Sequence, residues 1–379
     1  MPLPDWPRAH GLPLFAATLR RHPQDFQVTE ELGFEPSGDG EHDFLFVEKT
    51  GINTEWLARQ LAKFAAVPAK DVGYSGLKDR HAVTRQWFSV PRWNKPDWDN
   101  FRLDAVRIVE QTRNARKLRR GAHQSNRFRI VLRVPPKGSE PFGGASMEKG
   151  SDPFWKGPKQ RVSGAFGGEG SQKGSDPFGE ERLRKIREEG VPNYFGEQRF
   201  GHGGSNVALA DQWAAGRRLP RHKRSIAISS ARSYLFNELL ASRVADNAWN
   251  TLVPGDVANL DGSGSVFAVD VPDEVLHARC RMLDIHPTAL LWGDGAPVDA
   301  APPGHDAWLL ALANARVQPA RRSLRLRVLD LQWQLGEDSL TLNFGLTRGA
   351  FATSVIRELA EVTDFASHNE SEESQHESP

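Results

Sequence analysis

Between residues 127 and 134 the chain alternates cleanly. Phe128, Ile130, Leu132 and Val134 fall on one side, Arg127, Arg129 and Arg133 on the other. A period of two predicts a half-buried strand with a cationic outer face. Residues 24–30, 43–48 and 339–345 have the β-branched, aromatic or alternating character of further strands. Elsewhere the period moves toward that of a helix. Leu57, Leu61 and Phe64 share one face, and Asn53 or Thr54 can cap the helix that carries them. Residues 180–189 read as a helix that stops at Gly190, residues 230–245 as a helix carrying Tyr234, Leu235, Leu239 and Leu240, and residues 351–362 as the last helix. Residues 257–271 look like a hairpin around Asp261-Gly262-Ser263-Gly264.

Residues 136–179 break these patterns. They hold three related hexapeptides, at residues 137–142, 149–154 and 173–178, in a background of Gly, Ser and Pro. The repeats carry too few apolar residues to stack as a solenoid, so a flexible surface insert is expected. Residues 367–379 are polar and acidic and read as a disordered tail.

With 379 residues, 39% hydrophobic and 26% charged, the chain can bury a sizeable core and suggests about two domains. A single cysteine, Cys280, excludes a disulfide framework and multi-thiolate metal sites, and its polar neighbours suit a bystander thiol. No signal peptide and no apolar run of bilayer length is visible, so a cytoplasmic, non-membrane protein is expected.

The net charge of +1 hides two basic blocks. Residues 102–133 contain ten Lys/Arg against two acids, and residues 212–237 contain six against none. Residues 358–379 hold seven acids and no Lys or Arg. The near-neutral total is therefore a basic body offset by an acidic end, and the blocks point to phosphate contact.

Two segments could carry chemistry. In Gly76-Leu77-Lys78-Asp79-Arg80-His81-Ala82 the flanking cations would keep the Asp79 carboxylate ionised, as a nucleophile or base requires. Spacing alone favours an ordinary surface turn with a satisfied aspartate. Asn193-Tyr194-Phe195-Gly196-Glu197-Gln198-Arg199-Phe200-Gly201 places aromatics, an amide and an arginine between glycines, suited to stacking on a base or to an aromatic corner of a core. No P-loop, dinucleotide fingerprint, nucleophile elbow or regular His cluster is present, and no cofactor or metal is implied.

With Asp25-Phe26-Gln27-Val28-Thr29-Glu30 and Phe351-Ala352-Thr353-Ser354-Val355-Ile356-Arg357-Glu358-Leu359, these two segments stand in an order that resembles the TruD family of tRNA pseudouridine synthases over residues 14–366. The resemblance implies isomerisation of a uridine of tRNA, at position 13 in the D arm, with Asp79 as nucleophile and Phe26, Asn193 and Phe351 at substrate-binding positions, Phe195 being a neighbour. A basic side chain should pair with Asp79: Lys78, Arg80, Arg20 or Arg21. The implied fold class is α/β (α+β): a pseudouridine-synthase-like catalytic domain with a mixed sheet (1–217 and 326–366), interrupted by a smaller α/β insertion domain (218–325). A monomer that binds tRNA is expected. A non-catalytic RNA-binding protein on the same scaffold is the alternative; a carboxylate hydrolase would need a second placed acid or a metal.

Overall fold

The computed structural model describes residues 3–134 and 179–365. All but Gly179 of the repeat segment, and the whole tail at 367–379, lie outside the described residues. The first part of the chain forms β1 (Phe15–Leu19), β2 (Phe26–Leu32), β3 (His42–Thr50), α1 (Thr54–Phe64), β4 (Gly73–Tyr74), β5 (Val83–Pro91), β6 (Val106–Asn114) and β7 (His123–Arg133). After the undescribed segment come α2 (Glu180–Glu189), β8 (Val191–Pro192), α3 (Ser205–Ala214), α4 (Arg221–Ala245), β9 (Val257–Leu260), β10 (Val266–Ala268), α5 (Glu274–Arg281) and β11 (Ile285–Leu291). The chain ends with α6 (Asp306–Asn314), β12 (Ala320–Ser323), β13 (Arg325–Leu326), β14 (Leu329–Leu335), β15 (Ser339–Thr347), α7 (Ala352–Ile356) and β16 (Ala360–Asp364).

One mixed sheet dominates, in the order β14-β15-β7-β2-β5-β3-β6, with β1, β16 and β4 attached beside it. β2 runs parallel to β5 and β1 parallel to β16. The alternation on β7 works as expected on its apolar side: Phe128, Ile130 and Leu132 pack with Phe26 and Val28 of β2, Leu342 and Phe344 of β15, and α2 and α7 above them. Farther across the same face, α1 lays Leu57 and Leu61 on Leu45, Val47 and Phe88. Asn53 is the residue that caps α1, its side chain accepting from the amides of Glu55 (2.8 Å) and Trp56 (3.2 Å).

A second core gathers α3, α4 and α6 through Ala210, Ala231, Leu235, Trp308 and Leu312. It packs beside the four-stranded sheet β10-β9-β11-β12. α3 precedes residue 218 yet belongs to this core. The short pair β8–β13, Leu326 opposite Val191, lies where the chain passes between the two bodies. Gly190 permits it: a Cβ there would stand 2.4 Å from the Leu326 carbonyl oxygen.

Three expectations need correction. Residues 351–362 are not one helix: α7 ends at Ile356, a turn follows, and β16 pairs with β1. Val355, Ile356, Leu359 and Ala360 are all buried, which suits either form locally; the unpaired backbone of β1, some 340 residues earlier, decides it. The helix at 230–245 begins at Arg221, because Pro220 starts it and its exposed first turn gives no apolar signal. The outer face of β7 is not freely cationic. Arg127 pairs with Glu31 and Asp330, and Arg133 with Asp25.

Candidate active site

Asp79 lies in the loop between β4 and β5, on the sheet face shared by α1 and α7. The loop is tied from below. The Lys78 amide donates to Thr54 Oγ1 (3.1 Å), Thr54 donates to Gln86 Oε1 (2.9 Å), and Gln86 Nε2 donates to the Gly76 carbonyl (3.2 Å). Lys78 does not serve Asp79. Its Nζ sits 2.6 Å from Glu30 Oε2, a buried pair whose other oxygen accepts the Trp87 amide at 3.2 Å. At the start of the loop the Ser75 hydroxyl meets His123 Nδ1 at 2.5 Å and accepts the His123 amide at 2.8 Å. Burial, with Lys78 and Arg348 nearby, pushes His123 down to about 4, so the imidazole is neutral and accepts the serine proton.

The cation that faces the Asp79 carboxylate is Arg20, Nη1 to Oδ1 3.8 Å, and Asp79 keeps about a third of its side-chain surface in solvent. Arg20 is nearly buried, also holds Asp364 of β16 (Nε–Oδ1 2.9 Å), and lies over the Phe26 ring at 5.4 Å. Its backbone is left-handed, φ +56°. A non-glycine residue adopts that conformation at a cost of about 1 kcal/mol or more, here held by ion pairs on two sides. Of the four cations weighed as partners, the fold selects Arg20. Arg80 is exposed, and the expectation that Lys78 and Arg80 flank the carboxylate as charges is replaced by an arginine from a different strand end.

The remaining expected residues form a second group. Asn193 is buried, with Nδ2 donating to the Ser323 carbonyl (2.8 Å) and Oδ1 accepting from Arg322 (2.5 Å). Arg322 also lies over the Phe195 ring at 4.2 Å and donates to the Gly349 carbonyl (3.2 Å). Phe351, at the start of α7, makes an edge contact with Phe195 at 6.2 Å. Burial and neighbouring Arg199 bring Arg322 down to about 9, which leaves it charged at neutral pH. Phe26 belongs to the Asp79 group instead, its ring edge-on to Phe128 at 6.1 Å. α7 and Phe26 meet in the same core, so both groups border one face of the sheet.

The first basic block divides. Arg107, Arg127 and Arg133 are taken up in ion pairs. Lys117, Arg119 and Arg120 line an open cleft of about 460 Å³ with Lys70 and Tyr74, Arg120 also reaching Glu55 at 3.9 Å. The Arg120 guanidinium lies 3.7 Å from the Tyr74 ring centroid. Gly73 brings that rim against the loop: a Cβ there would meet the Leu118 carbonyl oxygen at 2.4 Å. In the second block residues 221–224 are exposed, whereas Arg232 donates to the Leu291 and Gln318 carbonyls.

Sequence reading missed Asp364, Arg322 and Lys49. Asp364 lies just past the helix expected at 351–362, in a segment to which no strand was assigned. Arg322 sits in a run with Arg321, Arg325 and Arg327, a cluster that is the one local signal for it. Lys49 is one lysine at a strand end and gave no signal. Among the described residues no cluster of three or more His, Cys, Asp or Glu could hold a metal, and no helix is long and apolar enough to cross a membrane.

A mixed sheet presents a half-exposed carboxylate to an arginine, with aromatics and a cationic rim around it, the setting of an α/β protein suited to nucleic-acid chemistry. The chain belongs to the tRNA pseudouridine synthase D (TruD) family, whose model matches residues 9–142 and 205–359. Phe26, Asp79 and Phe351 fall within the matched residues; Asn193 and Phe195 fall in the interval between them. The chain is 43% identical to tRNA pseudouridine synthase D of Methylococcus capsulatus, over 94% of each chain. It is 39% identical to that of Psychrobacter arcticus, over 95% of this chain and 94% of the relative. The crystal structure of the TruD protein from Methanosarcina mazei matches the fold with a TM-score of 0.62 at 18% identity, over 96% of both chains.

Proposed function

We propose that the protein isomerises a uridine of tRNA to pseudouridine, at position 13 in the D arm, with Asp79 as the nucleophile. The observation that carries this reading is the half-exposed Asp79 carboxylate held 3.8 Å from a nearly buried Arg20, beside the Phe26 ring. The reaction breaks the bond between ribose C1′ and uracil N1, turns the base, and joins C1′ to C5. The hydrogen leaves C5 and N1 ends protonated, so no electrons are gained or lost. One ionised carboxylate suffices to begin it, by attack on the sugar or by removal of a ribose proton. Arg20 keeps a counter-charge beside that carboxylate whichever way it acts.

The base must leave its stack to reach a carboxylate at the floor of the site. Phe351, at the head of α7, offers it an aromatic face, while the buried Phe26 and Asn193 form the wall behind, with Arg322 holding Asn193 and Phe195 in place. Residues 218–325 act as an insertion domain, and the exposed cations at 221–224 face RNA phosphate. The enzyme acts in the cytoplasm as a monomer.

Mapping pseudouridine in tRNA transcripts tests the reading. Conversion is expected at position 13 and is expected to vanish when that uridine is replaced by cytidine. Phe351→Ala is expected to raise KM for tRNA by about tenfold, the loss of roughly 1–2 kcal/mol of stacking. Modification elsewhere with position 13 untouched would refute the assigned position.

A further inference from the structure

We infer that Lys49 is a positioning residue for Asp79, holding its backbone and presenting a buried positive charge to its carboxylate. This inference rests on the proposed isomerase activity and adds a group that the activity does not by itself require. Lys49 is the last-but-one residue of β3, on the face that carries Leu45 and Val47, and its side chain has no exposed surface. A buried ammonium is destabilising unless paired and hydrogen-bonded. Lys49 has no carboxylate within ion-pair distance among the described residues. Its Nζ instead donates to the Ile52 carbonyl (2.6 Å) and to the carbonyl of Asp79 itself (3.2 Å).

Those two carbonyls define what Lys49 does. Ile52 immediately precedes the Asn53 cap of α1, and Thr54, the first residue of that helix, receives the Lys78 amide. The Gly51 amide donates to the Ala82 carbonyl at 3.3 Å. The β3–α1 turn and the catalytic loop are thus joined at both ends, and Lys49 closes the joint at Asp79. With no exposed surface, Lys49 acts on the reaction through Asp79 and not on RNA. The arginine that follows β1 and a lysine from β3 therefore serve different parts of Asp79: Arg20 meets the carboxylate, Lys49 the backbone.

The charged groups that Lys49 feels are Asp79 and Lys78, both from the loop. Arg85 on β5 and Arg107 on β6 both pair with Glu48 of β3 on the opposite face of the sheet. Burial outweighs the attraction of Asp79 and, with Lys78 adjacent, brings Lys49 down to about 8. Below that pH the charge is in place. Above it the ammonium loses its proton, and with it one of its donors and the field on Asp79.

Folding responds in the opposite sense. Between about 8 and the ordinary lysine value of 10.5 the unfolded chain binds the proton that the folded chain has lost, so this group's contribution to stability rises with pH. Falling activity over a range where Lys49 does not weaken the fold is the signature that separates this role from a structural one.

The experiment is single-turnover conversion of saturating tRNA between pH 6 and 9.5, for wild type, Lys49→Arg and Lys49→Met. Wild type is expected to halve its rate near pH 8 and to lose about tenfold per pH unit above that. Lys49→Arg, charged throughout, is expected to move the alkaline limb upward. Lys49→Met is expected to lower the rate at pH 7 by at least tenfold, with KM for tRNA within twofold of wild type. It is also expected to show no limb near pH 8. A wild-type rate flat to pH 9 would overturn the inference without needing any variant. So would a limb of unchanged position in Lys49→Met, which would place the titration in the RNA or in another group. If wild type makes no pseudouridine at any pH, the isomerase reading falls and this inference with it; a wild-type enzyme active at pH 7 with an unaltered Lys49→Met removes the role of Lys49 alone.

Discussion

At the scale of single residues, the site separates charges that act from charges that hold. Lys78, adjacent to Asp79 in sequence, is committed to Glu30, while Arg20, nearly sixty residues earlier, faces the carboxylate. Motif residues were legible because four segments stand in one order along the chain; the spacing around Asp79 taken alone would have left it in a surface turn. Their partners were not, since nothing local marks Arg20 over Arg21 or sets Lys49 apart from other lysines. His123 is a holding residue of the same kind, neutral and bonded to Ser75. Its value falls from 6.5 to about 4 on folding, so the unfolded chain takes up a proton first. Stability from this group is complete above about pH 6.5 and is lost as pH falls through about 4. His123→Gln is expected to remove on the order of 2–3 kcal/mol of that acid dependence, read from urea unfolding between pH 7 and 4. An identical pH slope in the variant would contradict it.

At the scale of elements, the strands and helices read best from the sequence were those whose instructions are local. The Asn53 cap, the alternation of Phe128, Ile130 and Leu132, and the stop at Gly190 all describe themselves within a few residues. β16 does not. Its pattern fits a helix until β1 supplies a parallel partner, from Phe15 opposite Ala360 to Leu19 opposite Asp364. That register delivers Asp364 to Arg20, so a fold-level pairing reaches the site. Truncation after Leu359 is expected to lower Tm by roughly 5 °C or more and to abolish conversion, whereas truncation after Phe365 leaves both near wild type. Equal behaviour of the two truncations would show that β16 contributes nothing to the site.

At the scale of the whole molecule, net charge misleads and placement informs. Of the ten cations between residues 102 and 133, several close ion pairs with Glu48, Glu31, Asp330 and Asp25. Those left on the rim beside Tyr74 lie against the catalytic loop, where RNA phosphate would pass. Replacing Arg116, Lys117, Arg119 and Arg120 by alanine is expected to weaken tRNA binding and to reduce the slope of log K against log salt by about two to four, each phosphate contact contributing a little under one. An unchanged slope would place RNA elsewhere. The proposed role of Asp79 in the isomerisation is measured directly by release of hydrogen from uridine C5 in tRNA, followed with wild type and Asp79→Asn at equal tRNA occupancy. Wild type is expected to release one hydrogen per tRNA and Asp79→Asn none above background, with both still binding tRNA; release by Asp79→Asn at the wild-type rate would contradict the account.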